Sequence, residues 1–191
     1  MGEEEKYIRE INRYNKPGLC RLWKRHLEDK MDASQKEFWK DGKLLEYTVL
    51  RGFELEGASV TWPYTVALDD ENVEQIDGAI VVEGMHVLLE CKDHNSNINI
   101  EPFAKMRNQL LRRPSGVIGC IFARKAFTSP AVALARFAAP QAILLWTGTE
   151  LEYCLEHDRL IDGLKLKMKK AVEEFDYCYN VRAFYEIPKI V

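Results

Sequence analysis

The spacing of the apolar residues changes twice along this chain, and that change limits the fold more than any other feature. Up to Gly57 the spacing is helical, which predicts helices at about 3–14, 19–31, 32–42 and 43–57. From Ser59 to Lys92 the apolar residues alternate, which predicts strands at 59–67, 73–82 and 85–92. After Lys92 the pattern predicts two buried strands at 116–123 and 141–146. It also predicts helices at 98–113, 129–137, 149–157 and 160–177. This order predicts an α/β fold with a mixed central β-sheet flanked by helices and extra N-terminal helices.

A short turn fixes how two of the predicted strands pair. Glu83-Gly84 has the composition of a tight β-hairpin turn. Continuing the pairing away from that turn sets Asp77 opposite Glu90, with their Cβ atoms about 5 Å apart. Because side chains alternate along a strand, Glu90 and Lys92 project from the same face. The sequence therefore predicts two carboxylates and one ammonium group at one place on the sheet.

Two facing carboxylates on a mostly buried sheet repel each other, and a divalent cation would relieve that repulsion. Mg²⁺ prefers carboxylate oxygens, and Mn²⁺ is the expected substitute. Lys92 could position or deprotonate a water molecule, or stabilise the charge that builds on a phosphate. These are the parts of metal-assisted phosphodiester hydrolysis. The alternative is a structural salt bridge, in which Lys92 neutralises Glu90 and Asp77.

The same residues resemble the signature of a known family. Ile76-Asp77-Gly78 precedes Glu90-Cys91-Lys92 by a spacing similar to that of PD-(D/E)xK nucleases, most closely the Mrr-like restriction endonuclease branch. Gly42-Lys43-Leu44-Leu45-Glu46 resembles the first core helix of those enzymes, and 119–128 resembles the strand and turn after the motif helix. The resemblance covers about residues 42–155, and its proline is replaced by Ile76. It implies a restriction-endonuclease-like core.

For the site, the resemblance implies that Asp77, Glu90 and the Cys91 carbonyl bind Mg²⁺ while Lys92 assists the attacking water. Glu46 is implied to hold a second metal ion or a water bound to the first. The expected catalytic set is therefore Glu46, Asp77, Glu90 and Lys92, of which the three acids are the metal ligands.

The formal net charge of −3 hides an uneven distribution. Residues 91–136 hold eight basic and two acidic side chains, so this stretch carries +6 and the rest of the chain −9. A phosphate backbone needs only a local positive surface. The residues expected to bind nucleic acid are Lys105, Arg107, Arg112, Arg113, Arg124 and Lys125. The alternative is a solvated helix face balanced by acidic neighbours.

Composition indicates a globular protein whose fold needs no disulfide bonds or structural metal ions. At 191 residues the chain can bury a core of its own. Its five cysteines are scattered and its four histidines dispersed, so neither disulfides nor a zinc site is expected. The acidic start and the lack of a long apolar run predict a cytoplasmic protein without a membrane span. The expected divisions are an N-terminal helical extension at 1–41, a nuclease-like core at 42–158, and a C-terminal helix and tail at 159–191.

The predicted function is a Mg²⁺-dependent endonuclease that hydrolyses DNA phosphodiesters in restriction, defence or repair. RNA is left open as a substrate, as are a homodimer and a protein partner on the N-terminal helices. The competing prediction is a catalytically silent module of the same fold that binds nucleic acid or protein.

Four smaller features are given ordinary structural roles. Gln109 is expected to face solvent and His94 to be a loop residue. Trp23 is expected to pack inward while its basic neighbours face outward. The acidic cluster of Asp69, Asp70, Glu71 and Glu74 is expected to form a solvated loop.

Overall fold

A computed structural model describes residues 3–40, 42–68, 71–138 and 140–186. Its helices are α1 Glu3–Ile11, α2 Lys16–Leu27, α3 Ala33–Phe38, α4 Lys43–Leu55, α5 Glu101–Leu111, α6 Ser129–Arg136, α7 Gly148–His157, α8 Leu160–Glu174 and α9 Val181–Glu186. Its strands are β1 Ser59–Thr61, β2 Tyr64–Leu68, β3 Glu71–Ile76, β4 Gly78–Val82, β5 Met85–Lys92, β6 Ile118–Ala123 and β7 Ile143–Thr147. Both the helical N-terminal region and the later alternation of helices and strands are as predicted.

A five-stranded mixed sheet forms the centre, in the order β1-β4-β5-β6-β7. The pairs β1–β4 and β4–β5 are antiparallel, whereas β5–β6 and β6–β7 are parallel. Strands β2 and β3 form a separate antiparallel ribbon. The predicted α/β fold with a mixed sheet between helices is confirmed.

The turn between β4 and β5 also forms as predicted. Glu83 and Gly84 have φ values of 48° and 81°, the two consecutive positive values that a type I′ hairpin turn requires. From Val82 opposite Met85, the pairing continues without a shift to Gly78 opposite Leu89.

Two predicted strands are each split in the structure. The stretch 59–67 divides into β1 and β2, and 73–82 divides at Asp77 into β3 and β4. The predicted three-strand meander is therefore wrong, because the outer halves of these strands leave the central sheet to form the ribbon. Helix α9 was not predicted, and the Pro188 tail lies outside the described residues.

Core residues cover both faces of the sheet. One cluster joins the N-terminal helices, α4, α7 and α8 to the sheet, with Trp23 and Trp146 fully buried in it. The other packs α5, α6 and the ribbon on the opposite face, around Phe103, Met106 and Ile121. All residues of β6 are buried, as expected for a strand covered on both faces. The cysteines are free, and those at 91, 120 and 154 are buried.

No described helix is both long and apolar enough to cross a membrane.

Candidate functional site

Asp77 lies at the bend between β3 and β4, where the chain passes from the ribbon into the central sheet. Its carboxylate is only 8% exposed, and its Oδ2 accepts a hydrogen bond of 2.8 Å from the backbone N–H of Cys91. The next residue, Gly78, packs closely on α4, because a Cβ there would lie 2.6 Å from a methyl group of Leu50 and would force that side chain to shift. The bend and this close packing against α4 direct Asp77 toward the end of β5.

Glu90 and Lys92 occupy the last residues of β5, at the carboxyl end of the parallel strands. Glu90 is fully buried. Its Oε1 lies 2.5 Å from Nζ of Lys92, and its Oε2 accepts a hydrogen bond of 2.6 Å from Nζ of Lys105 on α5. The contact with Lys92 is an ion pair, so each oxygen of Glu90 has an ammonium partner. One buried carboxylate is thus held between two ammonium groups.

Glu46 approaches the same place from the first turn of α4. The helix begins after Gly42, whose φ of 79° lies in the left-handed region that favours glycine. Glu46 is 8% exposed and accepts a hydrogen bond of 2.8 Å from Nζ of Lys43. That ammonium group also lies 3.5 Å from a carboxylate oxygen of Glu4 on α1. The first helix therefore reaches the edge of the site.

The site's carboxylates repel one another. Burial and the neighbouring charge of Asp77 raise the pKa of Glu46 from 4.5 to about 7, against the opposing effect of Lys43. Burial and the charge of Glu90 likewise raise the pKa of Asp77. Burial alone would lower the pKa of Lys92, but the adjacent Glu90 outweighs it and the net shift is upward. Lys92 is therefore a cation held beside Glu90 and near Asp77.

The carboxylates of Glu46, Asp77 and Glu90 fit a hard divalent cation by their oxygen chemistry, their burial and their mutual repulsion. In the described ranges, however, no group of three His, Cys, Asp or Glu side chains is already gathered around a common point. The reason is that each carboxylate is turned toward a lysine or a backbone N–H. Mg²⁺ keeps several waters and often uses one or two carboxylates, so a complete protein cage is not required.

Two neighbouring cavities open at these residues. The larger, of about 610 Å³, is lined by Glu46 and Asp77, among others. The smaller, of about 340 Å³, is lined by Glu90 and by the loop that follows β5. Lys92, His94 and Lys105 line both cavities. The four residues of the predicted catalytic set thus line two adjoining cavities, of which Lys92 lines both.

The basic residues predicted to bind nucleic acid do not form one surface. Arg124 is 6% exposed and bonds to Asp29 and to the carbonyl of His26, so its predicted place on an exposed surface is wrong. Arg112 and Arg113 both pair with Glu74 on the ribbon, which is the balancing by acidic neighbours that the sequence left open.

Of the remaining basic residues, Lys105 belongs to the site itself. Arg107 and Lys125 are exposed and, among the described residues, have no ion-pair partner. The basic surface is therefore smaller than the charge count predicted.

Other local predictions had mixed outcomes. Gln109 is buried and donates to the carbonyl of Gln75 at 3.3 Å, so its predicted exposure is wrong. His94 is an exposed loop residue, as predicted. Glu71 and Glu74 lie in β3 rather than in a loop, whereas Asp69 and Asp70 lie outside the described residues.

The sequence did not predict the contacts that hold Asp93, the residue after Lys92. Trp23 packs inward as predicted, but its neighbour His26 does not face outward. The His26 Nε2 atom lies 2.9 Å from Oδ1 of Asp93, the residue after Lys92. The guanidinium of Arg124 lies 3.8 Å from the same carboxylate. No local pattern signals these contacts, since Asp93 lies 67 positions from His26 and 31 positions from Arg124.

Comparison with known proteins gives two structural neighbours. No family model matches the chain, and no curated protein matches it. A solved protein of unknown function, AF1548, is 18% identical over 53% of this chain and 56% of its own, with a TM-score of 0.42. The MspJI restriction endonuclease, solved with a 27-mer oligonucleotide, is 18% identical over 77% of this chain, with a TM-score of 0.42. The chain spans about a third of that enzyme's length, 35%. Function has to be argued from this chain's own residues.

Proposed function

We propose that this protein is a Mg²⁺-dependent endonuclease that hydrolyses DNA phosphodiester bonds. The observation that carries the proposal is that Glu46 and Asp77 line one cavity, Glu90 lines the adjoining one, and Lys92 lines both. A plain salt bridge accounts for the Lys92–Glu90 contact. It does not account for two further acids, Glu46 and Asp77, whose pKa values are raised by burial and by the charge of a neighbouring acid.

In this proposal Asp77, Glu90 and the Cys91 carbonyl hold the ion, and Glu46 contributes from α4. Bound Mg²⁺ supplies a Lewis acid that withdraws charge from the phosphate. Lys92 acts as a cation, since its pKa is raised, and its ammonium group donates to a phosphate oxygen and orients the attacking water. The Cys91 N–H fixes the orientation of the Asp77 carboxylate. Roles in restriction, defence or repair, a homodimer, and a partner on the N-terminal helices remain predictions.

The test is nicking of supercoiled plasmid DNA with Mg²⁺ or Mn²⁺. Lys92→Ala and Asp77→Ala should each reduce the rate by at least about 100-fold, in line with the loss of one preorganised electrostatic group. Lys169→Ala is the matched control, because Lys169 is an exposed lysine on α8 whose nearest acid lies 4.0 Å away. Metal-dependent nicking that persists unchanged in both site variants would exclude the proposal.

A second candidate is a catalytically silent module that binds nucleic acid. It is favoured by the resting arrangement, in which two lysines already neutralise Glu90. Binding of DNA in EDTA, together with no metal-dependent nicking by the wild-type protein, would support this candidate.

A further inference from the structure

The smaller cavity beside Glu90 is built by a loop that is fixed at both of its ends. Residue 93 is held at one end by His26 and Arg124. At the other end, the N–H of Ile98 donates to the carbonyl of Ala126, and the carbonyl of Ile98 accepts from Thr128. Between these anchors His94, Ser96 and Asn97 line the cavity, together with Glu101, Pro102 and Lys105 from the start of α5. The cavity is therefore part of the fold rather than a gap between mobile segments.

Its lining separates into charged and uncharged parts. Lys92 and Lys105 stand at the boundary with the larger cavity. Away from them the loop contributes the uncharged polar side chains of Ser96, Asn97 and Asn99. The start of α5 contributes the carboxylate of Glu101, and Ile98 and Pro102 add apolar surface. Within the described part of the chain, the side chains of Ser96 and Asn97 make no hydrogen bond.

Uncharged hydrogen-bonding groups beside apolar surface suit a flat, neutral group with polar edges, which is the chemistry of a nucleobase. The two lysines at the boundary suit the phosphate attached to it. A cavity of about 340 Å³ admits one nucleotide and excludes a double helix. A base can enter it only after leaving its stack and its partner.

We propose that this cavity binds a single unpaired nucleotide of the DNA strand, with its phosphate held by Lys92 and Lys105. This inference rests on the proposed nuclease function and narrows it. The substrate is a strand with an extrahelical or single-stranded nucleotide at the point of cleavage, and Asn97 and Ser96 contact the base.

The experiment compares three labelled DNA probes of the same sequence. They are a single strand, a perfect duplex, and a duplex with one bulged nucleotide. Binding is measured by fluorescence anisotropy in EDTA. The wild-type protein should bind the bulged duplex and the single strand at least about tenfold more tightly than the perfect duplex, since the base need not be unpaired first. Asn97→Ala should weaken binding of those two probes about three- to tenfold, the effect of one neutral hydrogen bond, and leave duplex binding unchanged.

The chain offers a matched control in Asn95, which lies in the same loop, is exposed and lines neither cavity. Asn95→Ala should bind all three probes like the wild type. Ser96→Trp, which fills the cavity, should abolish the preference for the bulge, whereas Asn95→Trp should keep it. Equal binding of all probes by the wild type, or equal effects of the two alanine variants, would overturn the inference.

Cleavage of the same probes with Mn²⁺ separates this inference from the proposed function. If the wild type cuts none of the probes, the nuclease function fails, and the cavity is judged on binding in EDTA. If it cuts the perfect duplex as fast as the bulged one and Asn97→Ala changes neither rate, the nuclease function stands and the single-nucleotide cavity is wrong.

Discussion

Replacement of Glu46 by glutamine should stabilise the metal-free protein, and the gain should grow with pH. Glu46 is 8% exposed and its pKa is raised from 4.5 to about 7, chiefly by burial and then by the charge of Asp77. An acid with a raised pKa in the folded state binds its proton more tightly there than in the unfolded chain. Its contribution to stability is therefore complete below pH 4.5 and is lost as the pH rises through 7.

The size of the effect follows from the shift. One pKa unit corresponds to about 1.4 kcal/mol, so a shift from 4.5 to about 7 corresponds to about 3 kcal/mol of lost stability above pH 7. Glutamine resembles the protonated acid and carries no such cost, and its amide oxygen can still accept from Lys43. The variant should match the wild type near pH 4 and exceed it by about 3 kcal/mol at pH 8.

Urea unfolding in EDTA at pH 4, 6 and 8 measures this difference. Glu54→Gln is the control, since Glu54 lies on the same helix in a more exposed pair with Arg51 at 2.5 Å. Surface pairs of this kind contribute at most about 1 kcal/mol, so the control should stay within that range at every pH. A Glu46→Gln variant that is no more stable than the wild type at pH 8, or a gain independent of pH, would refute the reasoning. Saturating Mn²⁺ should narrow the gap, because the ion stabilises only a site that can bind it.

Further predictions concern the lysines of the site and of the core. Lys92→Ala should reduce nicking at least about 100-fold, whereas Asp77→Asn should lower Mn²⁺ affinity, which titration calorimetry measures separately. Equal Mn²⁺ affinity in Asp77→Asn and the wild type would remove Asp77 from the ligand set. Lys105→Met should bind Mn²⁺ more tightly than the wild type without DNA, because one ammonium group no longer competes for Glu90; weaker binding would contradict this. Lys167→Ala should cost about 3–5 kcal/mol in urea unfolding, since its fully buried ammonium group lies 2.7 Å from a carboxylate oxygen of Glu150. A loss below about 1 kcal/mol would mean that this pair is solvated.

The register of β4 and β5, as far as Gly78 opposite Leu89, could be predicted because it depends on local chemistry. A two-residue turn with positive φ at both positions fixes the register of its flanking strands, and the structure pairs β4 with β5 in that register. The change from one sheet to another at Asp77 could not be predicted in the same way. The apolar alternation on both sides of Asp77 is that of a strand, and only the separate partners β2 and β1 distinguish β3 from β4.

The partners of the basic side chains could not be predicted from the sequence, for a different reason. A charge count treats each lysine or arginine as solvent-exposed, whereas packing decides which of them meet acids. Arg124 became a buried anchor because Asp29 and Asp93 approach it from distant segments. Lys105 reaches Glu90 because α5 packs on β5 and β6. Gln109 is buried because the ribbon covers α5, and nothing near it in the chain reports that contact.

The two lysines on Glu90 define what activation of the proposed site requires. Glu90 is buried with both oxygens facing ammonium groups, so a divalent cation entering this arrangement meets positive charge. Lys105 is 41% exposed, so its side chain can turn from Glu90 toward a phosphate in the cleft. Transfer of Lys105 to that phosphate would free an oxygen of Glu90 for the ion and bring a counter-charge to the substrate in one movement. On this reasoning metal and DNA bind cooperatively, and by reciprocity each raises the affinity of the other by the same factor.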